Sequence, residues 1–238
     1  MFEDTFIRGG DAQQVPYSEL ELDGKAVLRG EGADPEQIYS RRPQLAEVAD
    51  RALKIGLPLV SPMFYRCHVE IDKSKQQVLK LFNGQDWLQS YLKNAGTVDF
   101  VICTIGPDLE NLSSKTMAED GPLALALDGL ANAAVDRLAA YICEMISHEA
   151  ESRKFQASLP LGPGMPEWPV EQGQPLIFQI IKPDDHIVRL TDSHLMIPRK
   201  SNSFIVVSGK DIHWHGKMCD FCNLRETCRY KIRKSEIS

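Results

Sequence analysis

The run PLALALDGLANAAVDRLAAYICEMISHEAES, residues 122–152, decides the fold. Leu127, Leu130, Ala131, Ala134, Val135, Leu138, Ile142 and Met145 recur in it at helical spacing on one continuous stripe. That spacing predicts a single core helix from near Pro122 to about Ser152. Everything else in the chain must then pack around it. Just upstream, VDFVICTIG (98–106) is a short apolar run that predicts a strand carrying Cys103, and QDWLQSYLKNAG (85–96) places Trp87, Leu88, Tyr91 and Leu92 on a helical stripe that stops at Gly96.

Further out, Tyr65, Cys67, Val69 and Ile71 alternate with Arg66, His68, Glu70 and Asp72, the period-2 pattern of a half-buried strand with Cys67 on its apolar face. PQLAEVADRALKIG (43–56) predicts a helix that opens on Pro43 and closes at Gly56. Downstream of the core helix, LPLGPGMPEWPVEQGQP (159–175) carries five prolines and three glycines, which predicts a loop through Pro175. The apolar segments LIFQII and IVRL follow, and SFIVVSG (203–209) reads as a strand. Alternating helices and strands predict a mixed α and β protein. The implied organisation is an N-terminal arm or cap over residues 1–40, a core over 41–210, and a cysteine-bearing tail over 211–238.

With 238 residues, 43% of them hydrophobic and 25% charged, the composition matches soluble globular proteins and excludes disordered, collagen-like and coiled-coil classes. The net charge of -6 lacks the basic excess a dedicated nucleic-acid binder needs. No run approaches the roughly 18 apolar residues of a membrane span, and MFEDTFIRGGDAQQ has no basic-then-apolar leader pattern, so a reducing cytoplasm is the expected compartment.

Cysteine placement is the compositional anomaly. Cys67, Cys103 and Cys143 lie singly in apolar stretches, whereas Cys219, Cys222 and Cys228 form the array MCDFCNLRETCRY. Two thiolates three residues apart on a tight turn can grip one metal or cluster edge, and the third closes the site from a short loop. His213, His215 or one of the scattered cysteines is the candidate fourth ligand. An all-sulfur set suits an iron–sulfur cluster, a Cys3His set suits zinc, and free or disulfide-forming thiols are the plain alternative. Arg225, Arg229, Lys231, Arg233 and Lys234 would offset thiolate charge, or simply form a solvated tail.

Other chemistries lack their anchors. DIHWHG (211–216) fits the Asp-x-His-x-x-Gly pattern of some corrinoid-binding domains, but too little chain follows Gly216 to build such a domain, so cobalt ligation by His213 is rejected. Gly-x-Ser-x-Gly, the phosphate-binding Gly-x4-Gly-Lys-Ser/Thr and His-Glu-x-x-His are all absent. Cys103 and Cys143 sit in apolar contexts that favour inert thiols.

The order TIGPDLEN (104–111), the long Ala/Leu helix, GPGMPEWPVEQGQ (162–174), LTDSHLMIPRKSNSFIVV (190–207) and the cysteine array resembles the activation (reactivation) domain of cobalamin-dependent methionine synthase, in its short, free-standing form. The likeness runs over about residues 40–230, and its most specific parts are the Pro-Gly loop and Met-x-Pro-x-Lys-Ser-x-Ser at Met196 to Ser203. This resemblance implies an α+β fold with a twisted, mostly antiparallel sheet flanked by helices. It also implies a surface that docks on a corrinoid-binding protein or corrinoid methyltransferase, so that cobalamin enters only through the partner.

In that family the domain holds S-adenosylmethionine close to the corrinoid. By resemblance, the cofactor-binding residues here are Gly162, Gly164, Met165, Glu167 and Trp168 in the loop, with Lys200, Ser201 and Ser203 beyond it. The plain alternative for the last three is a turn leading into a strand. The family loop reads Arg-x-x-x-Gly-Tyr, and the Arg and Tyr positions are Pro160 and Met165 in this chain. The carboxylate-binding cation and the stacking ring are therefore missing. The expectation is an accessory, methionine synthase-like component of corrinoid-dependent methyl transfer, supporting reductive reactivation, with an iron–sulfur cluster in the tail. The rival is a non-catalytic interaction module with a degenerate adenosylmethionine pocket and zinc or no metal.

Overall fold

The computed structural model describes residues 12–71, 78–82, 84–165 and 168–212. Its centre is a five-stranded antiparallel sheet formed by β1 (Gln13–Gln14), β2 (Met63–Glu70), β3 (Thr97–Thr104), β4 (Gln156–Ala157) and β7 (Ser201–Gly209), in the spatial order β1-β2-β3-β7-β4. The register pairs Cys67 with Phe100 and Phe100 with Ile205. A separate ribbon pairs β5 (Arg189–Leu190) with β6 (Met196–Ile197).

Every residue of β3 is buried, because both faces of the sheet are covered. On one face Phe64, Val101, Cys103, Phe204 and Val206 pack with residues of α1 (Gly24–Gly30), α3 (Pro43–Gly56) and the long helix α6 (Gly121–Ser152). On the other, Cys67, Val69, Phe100, Ile205 and Val207 pack with Leu88 and Leu92 of α4 (Asp86–Lys93) and with Ile177 and Ile181 of α7 (Val170–Ile181). A strand buried on both faces needs no alternation, which is why VDFVICT is almost continuously apolar. The expected α+β architecture with helices flanking an antiparallel sheet is the one observed.

The core helix runs over Gly121–Ser152, close to its expected bounds. The Asp120 carboxylate caps it by accepting from the backbone N–H of Leu123 at 3.1 Å, and Pro122 occupies the first turn, where no N–H is required. Its apolar residues are not confined to one stripe, since α1, α3 and α5 (Asp108–Thr116) cover it on sides away from the sheet. The crossing with α1 brings backbones together: a Cβ on Gly30 would collide with the carbonyl oxygen of Gly129, and one on Gly129 would lie 2.7 Å from the carbonyl oxygen of Val27.

Two local expectations change. Of residues 1–40, read as an arm or irregular cap, the described part from 12 onward holds β1, a 3-10 turn at Tyr17–Leu20, α1 and nearly all of α2 (Pro35–Arg41), and it buries Val15, Leu20, Val27 and Leu28 in the core. Side-chain caps from Asp23 and Asp34 start the two helices. The loop predicted through Pro175 ends earlier, because α7 begins at Val170 and carries Pro175 inside it. An internal proline costs a helix about 3 kcal/mol. Burial of Ile177 and Ile181, and the seating of Gly173 against Pro163 and Trp168, offset that cost here. No helix among the described residues is long and apolar enough to cross a membrane.

Candidate functional site

The Pro-Gly loop lies along the edge of β7 beyond β4. Leu161 exchanges both backbone bonds with Ile205, at 2.8 and 2.9 Å, and Ser158 N–H donates to the Val207 carbonyl at 2.8 Å. Past this edge the chain turns back on itself: Met165 N–H donates to Gly162 O at 3.2 Å, Trp168 N–H to Met165 O at 3.0 Å, and Gly164 N–H to Trp168 O at 2.8 Å. Gly164 has φ of +97°, a conformation that side chains resist. Gly162 passes so close to β7 that a Cβ would lie 3.4 Å from Ser203 O, and the Met165 sulfur sits 3.3 Å from Gly162 N. Trp168 is fully buried, edge-on to Phe82 at 5.6 Å, and its indole N–H has no hydrogen-bond partner among the described residues. Glu167 lies outside the described residues.

At the start of β7, alternation distributes the second group of expected residues. Ser203 points towards α7, where its hydroxyl donates to Gln174 Oε1 at 2.9 Å. Lys200 points the other way, and its ammonium meets Asp128 Oδ1 and Asn132 Oδ1 of α6, each at 2.7 Å. Ser201 Oγ donates to Pro198 O at 2.7 Å and lies 2.9 Å from Thr104 Oγ1, which in turn accepts from Gly106 N–H at 3.2 Å. Gly162, Gly164, Met165, Trp168 and Ser203 thus belong to the α7 side of the sheet and Lys200 to the α6 side. The structure brings the loop and Ser203 together; it does not bring Lys200 into the same pocket.

Several residues that complete this arrangement were not singled out as site residues in the sequence. Asp128 and Asn132 are polar positions one turn apart within the mostly apolar first half of the helix, and that spacing was the available signal for the Lys200 partners. Gln174 lies inside the segment expected to be loop. Asp99 is the one charge within an apolar strand, and a buried carboxylate there required a partner that only the neighbouring strand could reveal.

The cysteines of the tail, Cys219, Cys222 and Cys228, and the candidate ligands His213 and His215 lie outside the described residues. Among the described residues no group of three or more His, Cys, Asp or Glu is arranged to hold a metal ion. Burial pushes the Cys67 thiol up to about 11 and the Cys143 thiol up to about 12, and raises Cys103 further still. Thiols held so far from ionisation are poor ligands and poor nucleophiles.

No family model and no curated protein matches the chain. Among solved structures, it is similar to a crystal structure of the MetH reactivation domain bound to AdoHcy, with a TM-score of 0.62 and 15% sequence identity, over 89% of this chain and 82% of that one. The mixed arrangement of helices around a curled antiparallel sheet is common to both, and the chain therefore has the fold of the MetH reactivation domain.

Proposed function

We propose that this chain is an accessory of corrinoid-dependent methyl transfer, docking on a separate corrinoid-binding protein or corrinoid methyltransferase to support its reductive reactivation. The observation that carries this reading is the fold likeness over 89% of the chain, taken together with the family-like stretches at 104–111, 162–174 and 190–207. In this reading Cys219, Cys222 and Cys228 hold an iron–sulfur cluster that supplies electrons, with zinc as the alternative occupant.

The residues of the loop do not fit an adenosylmethionine carboxylate. Pro160 and Met165 offer neither cation nor aromatic ring, the 162–168 turn is closed by its own backbone bonds, and the Lys200 ammonium is held by Asp128 and Asn132 on the other face. A buried carboxylate without a cation binds poorly. The loop is accordingly given no part in holding a methyl donor. The same observation favours a second reading, a non-catalytic interaction module that keeps the docking fold with a degenerate pocket.

Two measurements separate these readings. Protein prepared without oxygen is expected to be brown, to absorb in the visible range and to contain iron and acid-labile sulfide; a colourless, iron-free preparation overturns the redox part. Sedimentation with a cobalamin-loaded corrinoid domain of a methionine synthase is expected to give a complex. Comigration without iron supports the interaction module, and absence of any complex removes both readings.

A further inference from the structure

The polar side of β2 is only partly open to solvent, with Glu70 exposed but Arg66 and His68 half-buried. Arg66 and His68 project from it beneath the last turns of α6, and a cleft of about 390 Å³ lies there, within the usual size of small-molecule pockets. It sits on the opposite face of the sheet from the 162–168 turn, and at the other end of α6 from Lys200.

Asp99, only 1% exposed on the central strand, forms part of its lining and accepts from Arg66 Nε at 2.7 Å, and lies 2.8 Å from His68 Nδ1. The guanidinium therefore turns its other edge outward, and the Glu149 carboxylate takes that edge, at 2.9 Å from Nη1 and 2.6 Å from Nη2. The two carboxylates are not equivalent. Asp99 is sealed within the sheet and fixes the arginine; Glu149, on the last turn of α6, has a side chain 52% exposed. Burial alone would weaken the arginine's charge, but its bonds to Glu149 and Asp99 outweigh that and hold the guanidinium protonated.

Such a fork matches a planar carboxylate through two parallel bonds. A solvent-exposed partner adds little stability, so it is readily exchanged. Elsewhere in the same cleft Ser208, 2% exposed, has a hydroxyl without a hydrogen-bond partner among the described residues. Buried hydroxyls in native structures are almost always paired, and one left open in a cleft points to a missing molecule. Arg153, stacked on Phe155 at 5.2 Å and donating to Glu70 at 2.7 Å, supplies a second cation.

We propose that this cleft binds a small organic acid, whose carboxylate replaces that of Glu149 on the Arg66 fork and whose further hydroxyl or carbonyl group pairs with Ser208. Glu149 is the internal surrogate that occupies the fork when no ligand is present. Exchange of one carboxylate for another on the fork keeps the Arg66 charge paired and strands no buried ion, and a second acid group on the ligand would lie towards Arg153.

Calorimetric titration of the full chain with L-malate tests this, with malamide as the uncharged control and inorganic phosphate as a tetrahedral one. Malate is expected to bind in the millimolar range or tighter. Glu149→Gln removes the competitor and tightens binding about two- to fivefold, the worth of an exposed ion pair. Ser208→Ala, which removes an unpaired group and leaves folding intact, weakens it about three- to tenfold. Absence of binding to both the wild type and Glu149→Gln overturns the proposal. So does equal affinity of these two for malate, equal binding of malamide, or phosphate binding as tight as that of malate, which would make the cleft a general anion patch.

Discussion

Arg199 closes on Glu110 twice, its backbone N–H donating to Oε2 at 3.0 Å and its guanidinium Nε to Oε1 at 2.6 Å. These bonds join the TIGPDLEN stretch to the MIPRKSNS stretch, two segments that lie far apart in the sequence, beside the pairing of Thr104 with Ser201. The pair is solvent-exposed on the arginine side, so its value is mainly one of position. Glu110→Ala is expected to lower global stability by no more than about 1 kcal/mol. Native-state hydrogen exchange should nonetheless show faster exchange of amides in the 189–199 ribbon, which Arg199 ties to α5. Unchanged exchange there would mean that the ribbon is held by other contacts.

The crossing of α1 and α6 has no room for a side chain. Gly30→Ala or Gly129→Ala is expected to destabilise by about 1–3 kcal/mol, the cost of overpacking, because the clash is with backbone and cannot be relieved by a rotamer change. Gly121→Ala, at the start of the same helix with no atom within 4 Å of its Cβ, should stay within about 0.5 kcal/mol of the wild type. Urea unfolding midpoints of the three variants check the contrast.

His68 makes stability depend on pH. The bond to Asp99 raises its affinity for a proton, and the Asp99 and Glu70 charges act in the same direction, against burial and the nearby Arg66; Arg153 also faces the ring at 3.5 Å. A histidine whose folded pKa is raised contributes stability that is complete below its unfolded pKa of about 6.5 and is lost as pH rises through the folded value. With the ring 33% exposed, solvent screening limits the effect to less than about 1 kcal/mol. Urea midpoints should fall from about pH 6 to pH 8 in the wild type and flatten in His68→Gln. Equal slopes in both would assign the pH dependence to another group.

Trp168 is buried with an unpaired N–H. Trp168→Phe removes that donor while leaving a smaller ring against Phe82, so loss of contact area and relief of an unpaired polar group oppose each other, and the net change should stay under about 2 kcal/mol. Trp168→Ala gives up the contacts without compensation and should cost about 3–5 kcal/mol. If the phenylalanine variant were as unstable as alanine in urea unfolding, the indole nitrogen must have a partner in solution.

The loop can be tested by restoring what it lacks. Calorimetry with S-adenosylmethionine is expected to show little or no binding to the wild type and measurable binding to Pro160→Arg combined with Met165→Tyr, because a cation for the carboxylate and a ring for stacking would then be present. Binding to the wild type at comparable strength would mean that other groups of this chain carry the ligand.

The sequence by itself determined the helices at 43–56, 86–93 and 121–152 and the strand that begins near Val98. Their hydrophobic periods and their Pro and Gly boundaries are local properties, and local patterns survive whatever the rest of the chain does. It determined much less about the site. Residue spacing along the chain marked Lys200, Ser201 and Ser203 as a group, but strand alternation sends Lys200 to Asp128 and Ser203 to Gln174 on opposite faces. Pro175 argued against a helix, and only the burial of Ile177 and Ile181 decided otherwise. The alternation of Tyr65, Cys67 and Val69 with Arg66 and His68 predicted a strand with one face towards water. Burial along β2 follows that alternation, with Arg66 and His68 half-buried and Glu70 exposed, but nothing in it showed that this face runs beneath α6, where Asp99 and Glu149, far apart in sequence, meet on one guanidinium. Which charges share a cleft depends on which strands pair and which helix covers them, and only long-range packing sets those relationships.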